Sequence, residues 1–344
     1  MSTTAAAVVV YGATGHTGRF IVAELRRRGF TTVISGRNAA QLEALAAEWP
    51  DLVVRPATVD DPAALDRALA GAAAVINCAG PFAITGGPVV EAALRAGIPY
   101  VDVAAEIEAN AAMFADYAEE AGGTETAVVP AMAFYGGLGD LLVTAAMGEW
   151  TAADEAHVAY GLSNWRPTAG TRTAGRVSHE RRAGQRVRFA DGELQYHDDK
   201  VVEQDWDFPE PLGLRTVIAE FTMADVVTVP SHLDVPTVTT YMAVEAARDL
   251  AGTDTPAPEA VDELGRSDQK FVVDVVVSAG GVERRATARG QDIYAVTAPL
   301  VVEAVERILA GKTRTTGVAS AGAMFDAADF LRALSPYVAV ELPH

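Results

Sequence analysis

Cysteine is almost missing from this chain. Cys78 stands alone among 344 residues, which excludes an internal disulfide framework and any cysteine-rich metal site and fits a reducing compartment. Positive charge is scarce as well: 27 Lys and Arg face 46 Asp and Glu, a formal net charge of −19. Nucleic acid and anionic membrane surfaces are therefore not expected as general partners. Long apolar runs are also missing; stretches such as 5–10 fall far short of the roughly 20 residues that span a bilayer. The opening Met-Ser-Thr-Thr has no basic region ahead of its apolar run, so no secretory signal is expected there and the reading is a cytoplasmic protein. His157, His179, His197 and His232 lack a second histidine or a carboxylate at helical ligand spacing, so no metal is expected. There is no Gly-x-Ser-x-Gly elbow, no complete Walker Gly-x-x-x-x-Gly-Lys-Ser/Thr signature and no Tyr-x-x-x-Lys pair close behind the fourth strand, so nothing points to the mechanisms they serve.

What is present is ample apolar material, 50% of the residues, in a chain long enough for two domains. Its first third alternates strand and helix. Residues 6–11, 31–35, 52–57, 73–77, 99–103 and 126–129 read as short buried strands. Helices are expected over 16–29, 39–48, 62–69, 87–96 and 106–121. Short connections between alternating elements mean a doubly wound parallel sheet, an α/β fold. After Pro130 the pattern changes to alternating or β-branched stretches at 155–162, 216–220, 237–245, 271–278 and 283–290, which predict an inserted α+β domain with a mixed or antiparallel sheet. Residues 163–173, polar, glycine-containing and aromatic, read as a loop suited to bind substrate, 181–207 as a hairpin with long loops and 252–258 as a surface loop. A helix is expected over 297–312, with a Thr297 cap and Pro299 in its first turn, and a short one over 326–334. The divisions expected are 1–130, 131–292 and 293–344, the last packing back on the first.

The strongest local signal joins the first strand to the first helix: Gly12-Ala13-Thr14-Gly15-His16-Thr17-Gly18. In this Gly-x-x-Gly-x-x-Gly spacing Gly12 permits a tight turn, Gly15 lets backbone N–H groups approach a pyrophosphate, and Gly18 lets helix and strand pack closely. The positive end of the helix dipole favours an anion there despite the acidic whole. The second strand ends at Ser35-Gly36-Arg37-Asn38, without the carboxylate that would hold a ribose 2′-hydroxyl. A guanidinium at Arg37 holds a 2′-phosphate bidentately instead, so NADP is favoured over NAD. The alternative for Arg37 is a solvated residue of the second helix's first turn. Asp60, ending the third strand, faces the adenine side. Cys78, Ala79, Gly80, Pro81 and Phe82, ending the fourth, leave room for the nicotinamide-side ribose. For Cys78 a small buried apolar thiol is preferred to a nucleophile, because no histidine partner is near in sequence.

Together Gly12 to Gly18, Ser35-Gly36-Arg37, Asn77 to Phe82 and Ala96 to Asp102 with Glu106 resemble the saccharopine dehydrogenase-like NADP-binding family, which includes saccharopine reductases and trans-acting enoyl reductases. Weaker likeness continues in Gly170-Thr171 and in Gly290 to Ala298. The resemblance implies a Rossmann domain, an inserted substrate domain with an open mixed sheet, and a C-terminal helix packing back on the first domain. It also implies hydride transfer from NADPH to an imine or to a conjugated double bond. A homodimer through the second domain's sheet is compatible with it. Fold and cofactor are carried over; the substrate is not.

Hydride chemistry belongs to the cofactor, so the protein must orient a small-molecule substrate and supply a hydrogen-bond donor or proton beside the nicotinamide. Tyr135 in the glycine-rich crossing, Asp102 and Glu106 after the fifth strand, and Thr171 with Arg172 are the candidates. Each has a plainer reading: Tyr135 as a packed aromatic, Asp102 and Glu106 as helix caps, 163–173 as a surface connection. The function expected is an NADPH-dependent oxidoreductase reducing a C=N or conjugated C=C bond of a small or medium metabolite. A non-catalytic NADP-binding sensor or scaffold is the alternative.

Overall fold

The computed structural model describes residues 6–343. Six strands, β1 (Ala7–Tyr11), β2 (Thr31–Ser35), β3 (Val53–Val54), β4 (Ala74–Asn77), β5 (Tyr100–Asp102) and β6 (Val128–Val129), form one sheet in the order β3-β2-β1-β4-β5-β6. All neighbours are parallel. A parallel sheet must be covered on both faces, and α1 (His16–Arg27), α2 (Ala39–Glu48), α3 (Pro62–Leu69), α4 (Phe82–Ala96) and α5 (Ile107–Thr124) do this. The chain order reverses between β1 and β4, which opens a crevice at their carboxyl ends, where such sheets bind ligands.

Helix α4 begins at Phe82 rather than at 87. Gly86, Gly87 and Pro88 lie inside the helix. The two glycines serve close packing on α5: a Cβ on Gly86 would lie 3.5 Å from Met113, and one on Gly87 3.0 Å from the Tyr117 hydroxyl.

The second domain begins with α6 (Gly139–Met147). It continues through β7 (Glu155–Leu162), α7 (Ala169–Arg181), β8 (Arg186–Ala190), β9 (Glu193–His197), β10 (Glu203–Phe208), β11 (Gly213–Ala219), α8 (Asp225–Thr228), β12 (Val238–Ala243), α9 (Val244–Ala251), β13 (Lys270–Ala279) and β14 (Val282–Gln291). Its nine-stranded sheet runs β10-β11-β12-β7-β13-β14-β15, with the β8–β9 hairpin against β12. Here β15 is Val338–Glu341. The sheet is mixed, since β12 and β7 are parallel while the other pairs are antiparallel.

Helix α7 occupies part of the segment expected as a polar loop. Thr168 caps it by accepting the Thr171 amide at 3.1 Å. Among its residues only Ser178 is buried, so it carries no apolar stripe from which a helical period could be read.

The C-terminal segment divides between the two domains. Helix α10 (Ile293–Leu309) starts four residues before the expected Thr297 cap, because Asp292 accepts the amides of Tyr294 and Ala295 at 2.9 and 3.0 Å. Pro299 therefore lies inside it. Arg28 at the end of α1 reaches Glu303 and Glu306, each at 2.6 Å, and so ties α10 to the first domain as expected. After α11 (Ala321–Met324) and α12 (Ala327–Ala333), however, β15 pairs with β14, so the last strand belongs to the second sheet. No helix among the described residues is long and apolar enough to cross a membrane.

Candidate functional site

A cavity of about 820 Å³ lies between the domains, with the turn after β1 and the loop after β4 on one side and α7 on the other. The β1 turn is built for an anion. Gly12 has φ +89°, and a Cβ there would sit 2.8 Å from the Ala79 amide nitrogen, so glycine is required both by conformation and by the approach of the β4 loop. Gly18 packs so closely on the Gly12 carbonyl that no side chain fits. Gly15 differs: it is exposed, its backbone is extended, and a Cβ would meet only the Gly12 carbonyl, at 3.2 Å. No side chain caps α1 and no acidic residue sits in its first turn. The first amides of the helix are thus left for a ligand. His16 and Thr17 face the cavity, whereas Thr14 does not line it.

His16 packs edge-on against Phe20 and Tyr294, with centroids 5.3 and 5.2 Å away. Its Nε2 is buried without a partner, and burial holds its pKa below the usual histidine value. The Ser35 hydroxyl at the end of β2 is a second buried group without a partner. Next to it Arg37 is exposed and makes no ion pair among the described residues. Asn38 caps α2 instead, accepting the Gln41 amide at 3.1 Å, so its side chain is already committed. Asp60 is exposed beyond β3. An uncapped start of α1, unpartnered polar groups on His16 and Ser35, and the exposed Arg37 guanidinium after β2 fit a phosphorylated dinucleotide.

The loop after β4 brings Cys78, Gly80 and Phe82 to the cavity. The Cys78 thiol bonds the Tyr11 carbonyl at 3.1 Å, and burial pushes it up to about 12. Such a thiol is not a nucleophile at neutral pH. Ala79 donates to Asn77 Oδ1 at 3.1 Å, and Pro81 leads directly into α4. The first amide of that helix, on Phe82, donates to both oxygens of Glu106 at 3.1 and 2.8 Å. This external cap explains why α4 starts early. Glu106 is buried, lines the cavity, and is pushed up to about 7 by burial against the opposing pull of that amide.

Asp102 must be withdrawn as a catalytic candidate. It is buried away from the cavity and accepts from the Tyr100 hydroxyl at 2.9 Å and from the amides of Ala104 and Ala131 at 3.0 and 2.9 Å. Its work is to pin the end of β5 to the interdomain crossing. Thr171 does line the cavity. Its hydroxyl lies 3.0 Å from both Thr168 Oγ1 and the Tyr294 hydroxyl, which joins the start of α7 to the start of α10. Tyr135 lines the cavity too, and its buried hydroxyl meets no acceptor.

The wall includes Trp165 from the loop expected to bind substrate, together with residues not singled out from sequence. Trp165 stands 5.2 Å from the Tyr135 ring and donates its indole N–H to Tyr294 at 3.3 Å. Arg176, Arg182 and Arg186 join Arg172 on the second-domain side. The Arg172 guanidinium meets the Thr255 carbonyl at 3.0 Å rather than a carboxylate, and the carboxylate nearest Arg182, on Glu108, is 3.9 Å away. Arg176 pairs with Glu180 at 3.0 Å and Arg186 also lies 3.9 Å from a carboxylate, that of Glu220, so Arg172 is the wall cation left without a carboxylate partner among the described residues. The arginines on α7 recur at helical spacing, a signal visible only once that segment is recognised as a helix. Among the described residues no group of His, Cys, Asp or Glu is placed to hold a metal ion.

Residues 8–132 match the family model of the saccharopine dehydrogenase NADP binding domain. An Arabidopsis thaliana protein named probable mitochondrial saccharopine dehydrogenase-like oxidoreductase is 31% identical over 143 residues, covering 37% of this chain and 31% of that protein. A Mycobacterium tuberculosis trans-acting enoyl reductase is 31% identical over 109 residues, 29% of this chain and 25% of that enzyme. Each alignment thus spans less than a third of the relative's own length. The solved structure of apo saccharopine dehydrogenase (L-Glu forming) from Saccharomyces cerevisiae superposes with a TM-score of 0.65 at 13% identity, covering 98% of this chain and 100% of that one. The first domain therefore resembles NADP-binding domains of saccharopine dehydrogenases, and the two-domain fold resembles that of the yeast enzyme.

Proposed function

We propose that the protein is an NADP-dependent oxidoreductase that reduces a C=N or conjugated C=C bond of a small or medium metabolite. One observation carries this reading: the glycine turn that fits the dinucleotide and the wall of the second domain enclose the same cavity. NADPH, when bound, supplies a hydride. The amides at the start of α1 hold its pyrophosphate and Arg37 its 2′-phosphate, while Gly80 and Phe82 border the reacting end. Reduction leaves a negative charge on the atom next to the carbon that gains hydride, and Glu106 donates the balancing proton there. A carboxyl held near 7 is about half protonated at neutral pH and gives its proton up without a large penalty. Thr171 orients the substrate beside Tyr294, and the arginine wall favours a substrate that carries negative charge.

Titration with NADPH and NADH in parallel, followed by NADPH consumption with panels of imines and enoyl compounds, tests the reading. Tighter binding of NADPH and consumption by one panel are expected, with turnover about 100-fold lower in Glu106→Gln. NADPH binding with no turnover on any acceptor would leave the sensor or scaffold reading in its place.

A further inference from the structure

The crossing between the domains is built more tightly than a connection requires. Residues 134–138 form a wide π-type turn in which Tyr135 (φ −89°, ψ 131°) and Gly136 (φ 89°, ψ −68°) leave helical geometry. A Cβ on Gly136 would lie 2.9 Å from the Cβ atoms of Ala131 and Ala224, and one on Gly137 2.8 Å from the Ala131 carbonyl. At Gly139 the carboxylate of Asp225 occupies the space that a side chain would need. Asp225 is fully buried. The Tyr160 hydroxyl lies 2.9 Å from each of its oxygens, and the Gly136 amide favours its charged form. The Thr228 hydroxyl reaches the Gly136 carbonyl at 3.5 Å. The backbone N–H and C=O of Gly136, which belong to two successive peptides, are thus both held by buried polar groups.

This is costly construction. Asp225 has no cationic partner, and burying a carboxyl is unfavourable unless its hydrogen bonds are met. An apolar packing would connect the domains at lower cost, and π-type turns with non-helical residues concentrate at functional sites. What the clamp holds in place is Tyr135. Its ring is fixed against Phe134, Tyr160 and Trp165, with centroids 4.8, 4.9 and 5.2 Å away. Its hydroxyl is buried beside the cavity without an acceptor among the described residues, an unfavourable arrangement unless an acceptor arrives with a ligand.

We infer that the missing acceptor is the substrate: Tyr135 donates a hydrogen bond to its heteroatom, and Asp225 with Tyr160 are positioning residues that fix the crossing so that this hydroxyl meets it. The inference rests on the oxidoreductase reading above.

A double-mutant cycle tests it, using the intact protein, NADPH and the best acceptor from the imine and enoyl panels. Tyr135→Phe is expected to lower kcat about 100-fold, and Tyr160→Phe about tenfold, both with NADPH affinity unchanged. The double variant is expected to match Tyr135→Phe alone, since one residue acts through the other. Losses that multiply, or full activity in Tyr135→Phe, would overturn the inference. A second readout needs no turnover. In protein labelled with 3-fluorotyrosine, the ¹⁹F line that Tyr135→Phe removes should be single and sharp, and should broaden or split in Tyr160→Phe. An unmoved line would overturn the positioning role even where no acceptor reacts. Failure of every acceptor, with the line behaving as expected, would instead count against the oxidoreductase reading.

Discussion

The protein has two glycine-rich turns that use the residue in opposite ways. In the turn after β1, Gly15 is exposed and a Cβ would meet a single carbonyl, at 3.2 Å. In the interdomain crossing, the space beside Gly136, Gly137 and Gly139 is already filled by Ala131, Ala224 and Asp225. The first turn packs Gly12 and Gly18 just as closely but leaves room at Gly15 beside the uncapped start of α1, while the crossing fills the space at all three of its glycines. Glycine count alone does not separate a ligand cradle from a packed joint. The atoms that a side chain would strike do.

Replacing a glycine in each turn should therefore break different things. Gly15→Val places a branched side chain where the pyrophosphate must sit and blocks at least two charge-assisted hydrogen bonds. NADPH affinity is expected to fall on the order of 100-fold or more, with thermal unfolding little changed. Undiminished NADPH binding in that variant would remove the cradle from the first turn. Gly139→Ala should do the reverse. Its methyl would collide with Asp225 inside a filled joint, costing about 1–3 kcal/mol or more, which lowers Tm by several degrees while the folded fraction still binds NADPH. A stable variant would mean that the crossing is looser than its packing indicates.

The same contrast explains how much could be read from the sequence. The first domain was legible because strands buried on both faces are continuous apolar runs, as in β1 and β4, and because its glycine turn follows a strand and opens a helix. The second domain gave its mixed sheet through stretches such as β7 and β13, but it concealed α7, which buries only Ser178. The first turn of α4, 82–86, was missed because its cap, the Glu106 carboxylate, comes from a different element. Asp102 carried the right chemistry for a catalytic acid. Its three hydrogen bonds to the β5 end and the crossing are long-range facts that spacing does not contain. The Asp225–Tyr160 pair, 65 residues apart, was out of reach for the same reason.

Within the first domain, Arg37 sharpens the cradle's specificity. It is exposed and makes no ion pair among the described residues, so Arg37→Ser should leave the fold alone and remove mainly the 2′-phosphate contact. The preference for NADPH over NADH is expected to shrink about tenfold or more, measured as the ratio of the two dissociation constants. An unchanged ratio would return Arg37 to the solvated role that its exposure also allows.

The smallest effect is a pH dependence, and it belongs to the point where the cradle meets the cavity. Folded Glu106 keeps its proton up to about 7, against an ordinary value of 4.5, because burial disfavours its charge. Between those two values the unfolded chain binds fewer protons than the folded one, so stability falls as pH rises through that window. The contribution is complete below 4.5 and lost above about 7. Glu106→Gln keeps an acceptor for the Phe82 amide and cannot ionise, so the decline in Tm between pH 5 and 8 should become shallower. It should not vanish, because Asp102 and Asp225 are also raised by burial, to about 6 and about 7. Turnover should fall in the same range, as the proposed proton donor ionises. Equal slopes for wild type and variant would show that Glu106 ionises as freely in the folded chain as in the unfolded one, and the proton source for reduction would then have to be sought on the second domain's side of the cavity.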